Sequence, residues 1–162
     1  METPRKLWQR FSGDNMKIFT IGFTEKKAER FFSLIKLSGT KRIVDVRLNN
    51  ISQLSGFAKR DDLKYFLKEL CDVDYVHVPD LAPTKEILSP YQKKEISWQQ
   101  YEDKFLNLMA KRNIEKYVKP EIIDEGCLLC SEHQPHQCHR RLVANYLKQA
   151  WDQSDAVVKD LV

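Results

Sequence analysis

From Met16 onward, short apolar runs alternate with stretches in which apolar residues recur every three or four positions. The runs Lys17–Gly22, Arg42–Val46, Asp74–Val78, Gly126–Cys130 and Ala156–Val158 are too short and too continuous for amphipathic helices, and they predict buried strands. Between them lie helical spacings. Ala28, Phe31, Phe32 and Ile35 follow Thr24, a capping residue type, and stop at Gly39. Leu63, Phe66, Leu67 and Leu70 share one face behind Asp61, read as a cap. Trp98, Tyr101, Phe105, Leu108 and Met109 mark a helix that ends near Arg112, and a last helix runs through Arg141, Val143, Ala144, Tyr146 and Leu147. The segment 82–97 holds Pro83 and Pro90 and reads as a polar loop with a short helix around Lys85–Leu88; Tyr117–Ile123 fits a helix at its end.

Strand alternating with helix predicts a three-layer α/β domain. A mostly parallel sheet of about five strands carries helices on both faces, in a Rossmann-like or flavodoxin-like arrangement. Residues 1–15 sustain neither period. They are set apart as an N-terminal extension, leaving 16–162 as a single domain; a short docking helix around Leu7, Trp8 and Phe11 is the other reading.

Composition narrows the class without naming a chemistry. No stretch approaches the roughly 18 apolar residues of a membrane span, and the first residues lack a signal-peptide core. Four cysteines without an export signal point to a reducing, cytoplasmic setting. A net charge of +4 suits an anionic partner.

In an open parallel sheet, ligands bind beyond the carboxyl ends of the strands. The residues that follow each predicted strand are therefore the candidates. Gly22 and Thr24 follow the first, where a glycine lets a ligand approach the backbone. Asp45 and Arg47 follow the second. A carboxylate in so apolar a run needs a partner, and it either orients a ligand hydroxyl or ties down a loop. His77 ends the third strand, as a ligand residue or as a structural histidine. Cys130 and Glu132 follow the fourth, then Cys138, His139, Arg140 and Arg141.

That last segment supports three readings. Cys127 and Cys130 with nearby histidine and cysteine have a zinc-like composition. However, residues three apart on a strand face opposite sides, so no metal is assigned. Cys138, at a helix start among basic residues, or Cys130 at a strand end, has the setting of a nucleophilic thiol. The helix start with Arg140 or Arg141 also has the makings of an anion site, which needs nothing beyond features already present. Lys85, Lys93 and Lys94 with Tyr91 and Trp98 form a basic, aromatic stretch that either tracks a nucleic-acid backbone or is a solvated loop. Lys59-Arg60 is a second basic pair.

The runs Phe19-Thr20-Ile21-Gly22, Val44-Asp45-Val46-Arg47 and Tyr75-Val76-His77-Val78-Pro79-Asp80-Leu81 resemble those of the DUF488 family, a domain of unknown function. The likeness is strongest at Leu128-Leu129-Cys130-Ser131-Glu132 followed by Cys138-His139-Arg140. It implies a compact α/β domain whose matched positions are Gly22, Asp45, Arg47, Cys130, Glu132, Cys138, His139 and Arg140. Many members carry Gly-His-Ser where this chain has Gly22-Phe23-Thr24. The Asp45-Val46-Arg47 run also resembles rhodanese-like domains, but their catalytic loop has five residues after its cysteine. Here Arg140 lies ten positions beyond Cys130, so sulfur transfer is discounted.

The expectation is an enzyme-like domain that binds a phosphorylated ligand, a nucleotide or nucleic-acid component, with no cofactor assigned. Gly22, Thr24, Arg47, His77 and Arg140 are the expected binding residues, with Arg47 and Arg140 pairing to phosphate or carboxylate oxygens. Asp45, Glu132, His139, Cys130 and Cys138 are the expected catalytic set, with His139 moving a proton near neutral pH. The alternatives are a nucleic-acid-binding module without catalysis and a domain that docks on a protein partner.

Overall fold

The computed structural model of the chain describes residues 15–50, 56–131 and 137–162. Among the described residues, five strands form one sheet: β1 (Lys17–Gly22), β2 (Arg42–Asp45), β3 (Asp74–His77), β4 (Gly126–Cys130) and β5 (Val157–Leu161). The order is β3-β2-β4-β1-β5 and every pairing is parallel. Among the described residues, seven α-helices connect them: α1 (Ala28–Ser38), α2 (Arg60–Phe66), α3 (Lys85–Gln92), α4 (Trp98–Arg112), α5 (Ile114–Tyr117), α6 (Pro120–Ile123) and α7 (His139–Ala150).

The alternation inside each strand explains the layers. In β4, Leu128 and Cys130 join one core with Ile18 and Val44, against Tyr101, Phe105 and Met109 of α4 and Leu142, Val143 and Leu147 of α7. Cys127 and Leu129 point the other way, into a second core with Phe19, Ile21 and Ile43, against Phe31, Phe32 and Ile35 of α1 and Leu63 of α2. Both faces are therefore dry, which is why the strands read as continuous apolar runs. Gly126 admits the close packing beneath β4, since a Cβ there would lie 2.7 Å from the Ile122 carbonyl oxygen.

Several helix boundaries differ from the sequence reading. α1 begins after Lys27 rather than at Thr24, and no side chain caps it. Asp61 lies in the first turn of α2, where its charge suits the dipole, instead of at the cap. α2 runs on into a wider turn over Leu67–Cys71. The short helix foreseen around Lys85–Leu88 runs on to Gln92, with Pro90 inside α3. β5 starts at Val157 and is longer than foreseen. Met16 is fully buried in the core. The extension, as far as residue 14, lies outside the described residues. Among the described residues, no helix is long and apolar enough to cross a membrane.

The strand order sets where a site can form. From β2 the chain leaves through α2 towards β3, at one edge. From β4 it leaves through α7 towards β5, at the other. The adjacent strands β2 and β4 therefore send their connections in opposite directions and over opposite faces. That divergence opens a crevice above their carboxyl ends. The register brings Gly22 level with Cys130, and Asp45 level with both Leu129 and His77. The four strand ends named from sequence thus share one rim.

Candidate functional site

A cavity of about 650 Å³ occupies this crevice. Arg47, Leu48 and Asn49 line it from the end of β2, and Ser131, Gln137, Cys138 and His139 from the side of β4 and α7. The opposite wall comes from α3 and α4 through Lys85, Tyr91, Trp98 and Tyr101, among others.

That wall is aromatic and ordered by its own packing. Tyr91 stacks on Tyr101 with centroids 4.9 Å apart, Trp98 lies 5.3 Å from Tyr101, and Tyr91 meets Trp98 at 5.6 Å. Trp98 is the first residue of α4, so its position depends on how that helix begins. Ser97 and Gln100 form a reciprocal capping box: Ser97 Oγ accepts from the Gln100 amide, and Gln100 Oε1 accepts from the Ser97 amide. The start of α7 contrasts with this. Its N-cap is Cys138, whose side chain makes no capping hydrogen bond, and this end opens on the cavity.

At the end of β2, Asp45 and Arg47 satisfy each other. The strand stops at Asp45, so the chain turns and the Arg47 side chain folds back. Arg47 Nε donates to Asp45 Oδ1 at 2.8 Å and Nη2 to Oδ2 at 2.7 Å, a bidentate pair. Its Nη1 donates to the Ala58 carbonyl at 2.7 Å, and its guanidinium lies over the Phe23 ring. The Tyr75 hydroxyl donates to Asp45 Oδ2 at 2.5 Å. Burial and the neighbouring carboxylate push the Tyr75 phenol well above its ordinary value, so it stays a proton donor. Asp45 is fully buried and Arg47 is 2% exposed. This unit ties the loop to the sheet.

Beyond β4, two sulfurs and a histidine come together. The sulfurs of Cys130 and Cys138 are in bonding contact, so two residues read from sequence as separate thiols act as a unit. Arg140, fully buried, donates from Nη1 to Cys130 Sγ at 3.2 Å. Lys26 is also buried; desolvation first, then the charge of Arg140, lowers its affinity for a proton. His139 Nε2 lies 2.6 Å from the Val46 carbonyl oxygen, a contact that places the N–H on Nε2. Burial, helped by the Arg140 charge and opposed by the Val46 hydrogen bond, pushes His139 down to about 4. His139 is therefore neutral at pH 7, with a bare Nδ1, and does not titrate near neutrality as the sequence reading had it.

The ten expected residues separate accordingly. Arg47, Cys138 and His139 line the cavity, and Cys130 lies directly beneath Cys138. Arg140 is buried under the site with Nη1 on Cys130 Sγ, and Arg47, paired with Asp45, lines the cavity. His77 contacts the Arg47 carbonyl through Nε2 at 3.2 Å. Gly22 pairs with Cys130 in the sheet, and Thr24 donates through both its amide and its hydroxyl to the Ser131 carbonyl. These three brace the rim. Glu132 lies outside the described residues. Of the basic stretch, Lys85, Tyr91 and Trp98 reach the cavity, whereas Lys93 and Lys94 do not line it. Sequence reading missed Asn49, Gln137 and Tyr101. Only Tyr101 carried a signal, through its helical spacing from Trp98.

The family model described as "Domain of unknown function DUF488" matches residues 27–147, most of the chain. The chain belongs to this family. No curated protein and no solved structure gives a significant match. The DUF488 match spans β2, β3 and β4 and the start of α7, and with them the whole lining of the cavity.

Proposed function

We propose that this DUF488 domain binds a phosphorylated ligand, a nucleotide or nucleic-acid component, in the cavity between the ends of β2 and β4. One observation carries the reading: a stacked aromatic wall faces a helix start that its own N-cap side chain leaves uncapped. A planar base packs on Tyr91 and Trp98, where stacking contributes roughly 1–3 kcal/mol per base. The phosphate sits at the amino end of α7, where the dipole favours negative charge, with Lys85 as the neighbouring cation. In the metal-free chain, His139 accepts a hydrogen bond at Nδ1, a role suited to a ligand hydroxyl.

Nucleoside monophosphates, free phosphate and short oligonucleotides, added separately to the purified chain, test this by thermal shift. The expected result is a rise in Tm with a nucleotide, and a Kd weakened about 10-fold or more in Trp98→Ala. No shift with any phosphorylated compound, or binding unchanged in both Trp98→Ala and Lys85→Ala, removes the proposal.

The exposed Lys93 and Lys94 beside the aromatic wall favour a second reading, a module that holds a longer nucleic-acid strand without acting on it. It predicts oligonucleotide binding that weakens steeply with salt.

A further inference from the structure

Cys130, Cys138 and His139 place two sulfurs and one imidazole nitrogen within 4.8 Å of one another. From these residues we infer a binding site for a soft divalent cation of the zinc class, with three protein ligands and a fourth position open to the cavity.

The donor set is the first argument. Thiolate and imidazole are the ligands that zinc prefers, and three protein donors with one open position is the arrangement of sites that keep a place for water or substrate. The second argument is the histidine's orientation. Metal-bound histidines characteristically donate their other N–H to a carbonyl or carboxylate, which fixes the ring and its tautomer. Val46 supplies that carbonyl to Nε2 at 2.6 Å, which leaves Nδ1 as the ligating atom. Third, the backbone spacing suits a bridging ion. The α-carbons of Cys130 and Cys138 are 7.6 Å apart. Two sulfurs on one zinc stand about 3.8 Å apart, from Zn–S bonds of about 2.3 Å at tetrahedral angles. Reduction of the Cys130–Cys138 bond, two electrons and two protons from an added thiol, frees both sulfurs to take up that spacing. A relaxed disulfide instead draws the α-carbons to within about 6.8 Å. Fourth, Arg140 Nη1 donates to Cys130 Sγ, the outer hydrogen bond that supports a thiolate ligand.

This is not the cysteine pair that the sequence suggested. Cys127 points into the opposite core, where burial pushes its thiol far above the ordinary value. The partner of Cys130 is instead Cys138, eight residues on. Cys138 and His139 also line the cavity, so the open position faces whatever enters it. The inference does not depend on the phosphorylated-ligand reading.

The test uses the full chain, completely reduced and stripped by chelator, with no nucleotide present. Zn²⁺ is titrated against a chromophoric competitor, and Co²⁺ is then substituted to report the ligands. Expected are one ion per chain and a sulfur-to-cobalt charge-transfer band. Binding should weaken about 100-fold or more in Cys138→Ser and in His139→Ala, beyond the 10–100-fold typical of outer partners. Cys71→Ser should bind like the parent. Affinity should also fall as pH is lowered, because thiols must lose protons to bind. A reduced, folded chain that takes up neither ion overturns the inference, as does a cobalt complex without the sulfur band or a Cys138→Ser variant of unchanged affinity. Should that variant fail to fold, the cobalt spectrum of the parent chain decides alone. Failure here leaves nucleotide binding standing, and failure of nucleotide binding leaves the metal site standing.

Discussion

Two arginines lie buried at the same rim of the sheet, and they serve different ends. Arg47, after β2, is held by a carboxylate through two hydrogen bonds and by the Ala58 carbonyl. Arg140, in the first turn of α7, donates to a sulfur. A buried guanidinium needs compensation in either case. On the β2 side it comes from a neighbour two residues away, and the product is a rigid loop. On the β4 side, part of the hydrogen bonding goes to a group that itself has chemistry. One half of the rim is tied down by a buried ion pair, and the other half holds the sulfurs and histidine of the proposed metal site.

The strongest way to break this contrast is to remove the carboxylate. Asp45→Ala strands the Arg47 charge in the interior, and losing one partner of a buried pair costs about 3–5 kcal/mol. Urea unfolding should show that loss. Asp45→Ala combined with Arg47→Met should recover much of it, since a charge pair replaced by apolar groups of similar volume is often close to neutral. A single variant as stable as the parent would mean the pair does not anchor the loop. Tyr75→Phe is the milder version. It removes one hydrogen bond to a charged acceptor, with an expected loss of about 1.5–3 kcal/mol.

On the other half, Arg140→Met should show its clearest effect in the chemistry of the sulfurs. Removal of an outer hydrogen bond to a ligand lowers metal affinity roughly 10–100-fold. The zinc competition reads this directly in the reduced variant. If Arg140→Met leaves zinc affinity intact while costing as much stability as Asp45→Ala, both arginines are scaffold and the contrast disappears.

The scaffold was more legible in the sequence than the site. Short continuous apolar runs reported β1 and β4 residue for residue, because both faces of those strands are buried. Helix starts were harder. Thr24 and Asp61 are cap-forming types, but Thr24 is spent on Ser131 and Asp61 sits within the helix. Residue type alone cannot reveal such competing partners. The shared rim followed from the parallel-sheet rule, whereas strand order did not, because one sequence carries no record of which strands are neighbours. Alternation on a continuous strand already puts Asp45 and Arg47, two residues apart, on one face; what the sequence did not carry is the turn after Asp45 that closes the bidentate pair. The meeting of Cys130, Cys138 and His139 was equally hidden, since it depends on how the chain returns to the sheet after β4.

The same contrast extends to the two helix starts that bound the cavity, and here the expected effect is smallest. Ser97 and Gln100 close the start of α4, so Ser97→Ala should cost about 1 kcal/mol. Because Trp98 is the next residue, fraying of that turn loosens the aromatic wall. Nucleotide affinity in Ser97→Ala should therefore fall only modestly, and less than in Trp98→Ala, while Trp98 fluorescence shifts towards that of an exposed indole. Cys138, by contrast, contributes no capping bond to α7, so Cys138→Ala should spare the cap. Any stability it loses should scale with its buried sulfur and with bound metal. An equal loss in both variants, measured without metal, would show that α7 is capped through Cys138 after all and that its start is closed to an anion.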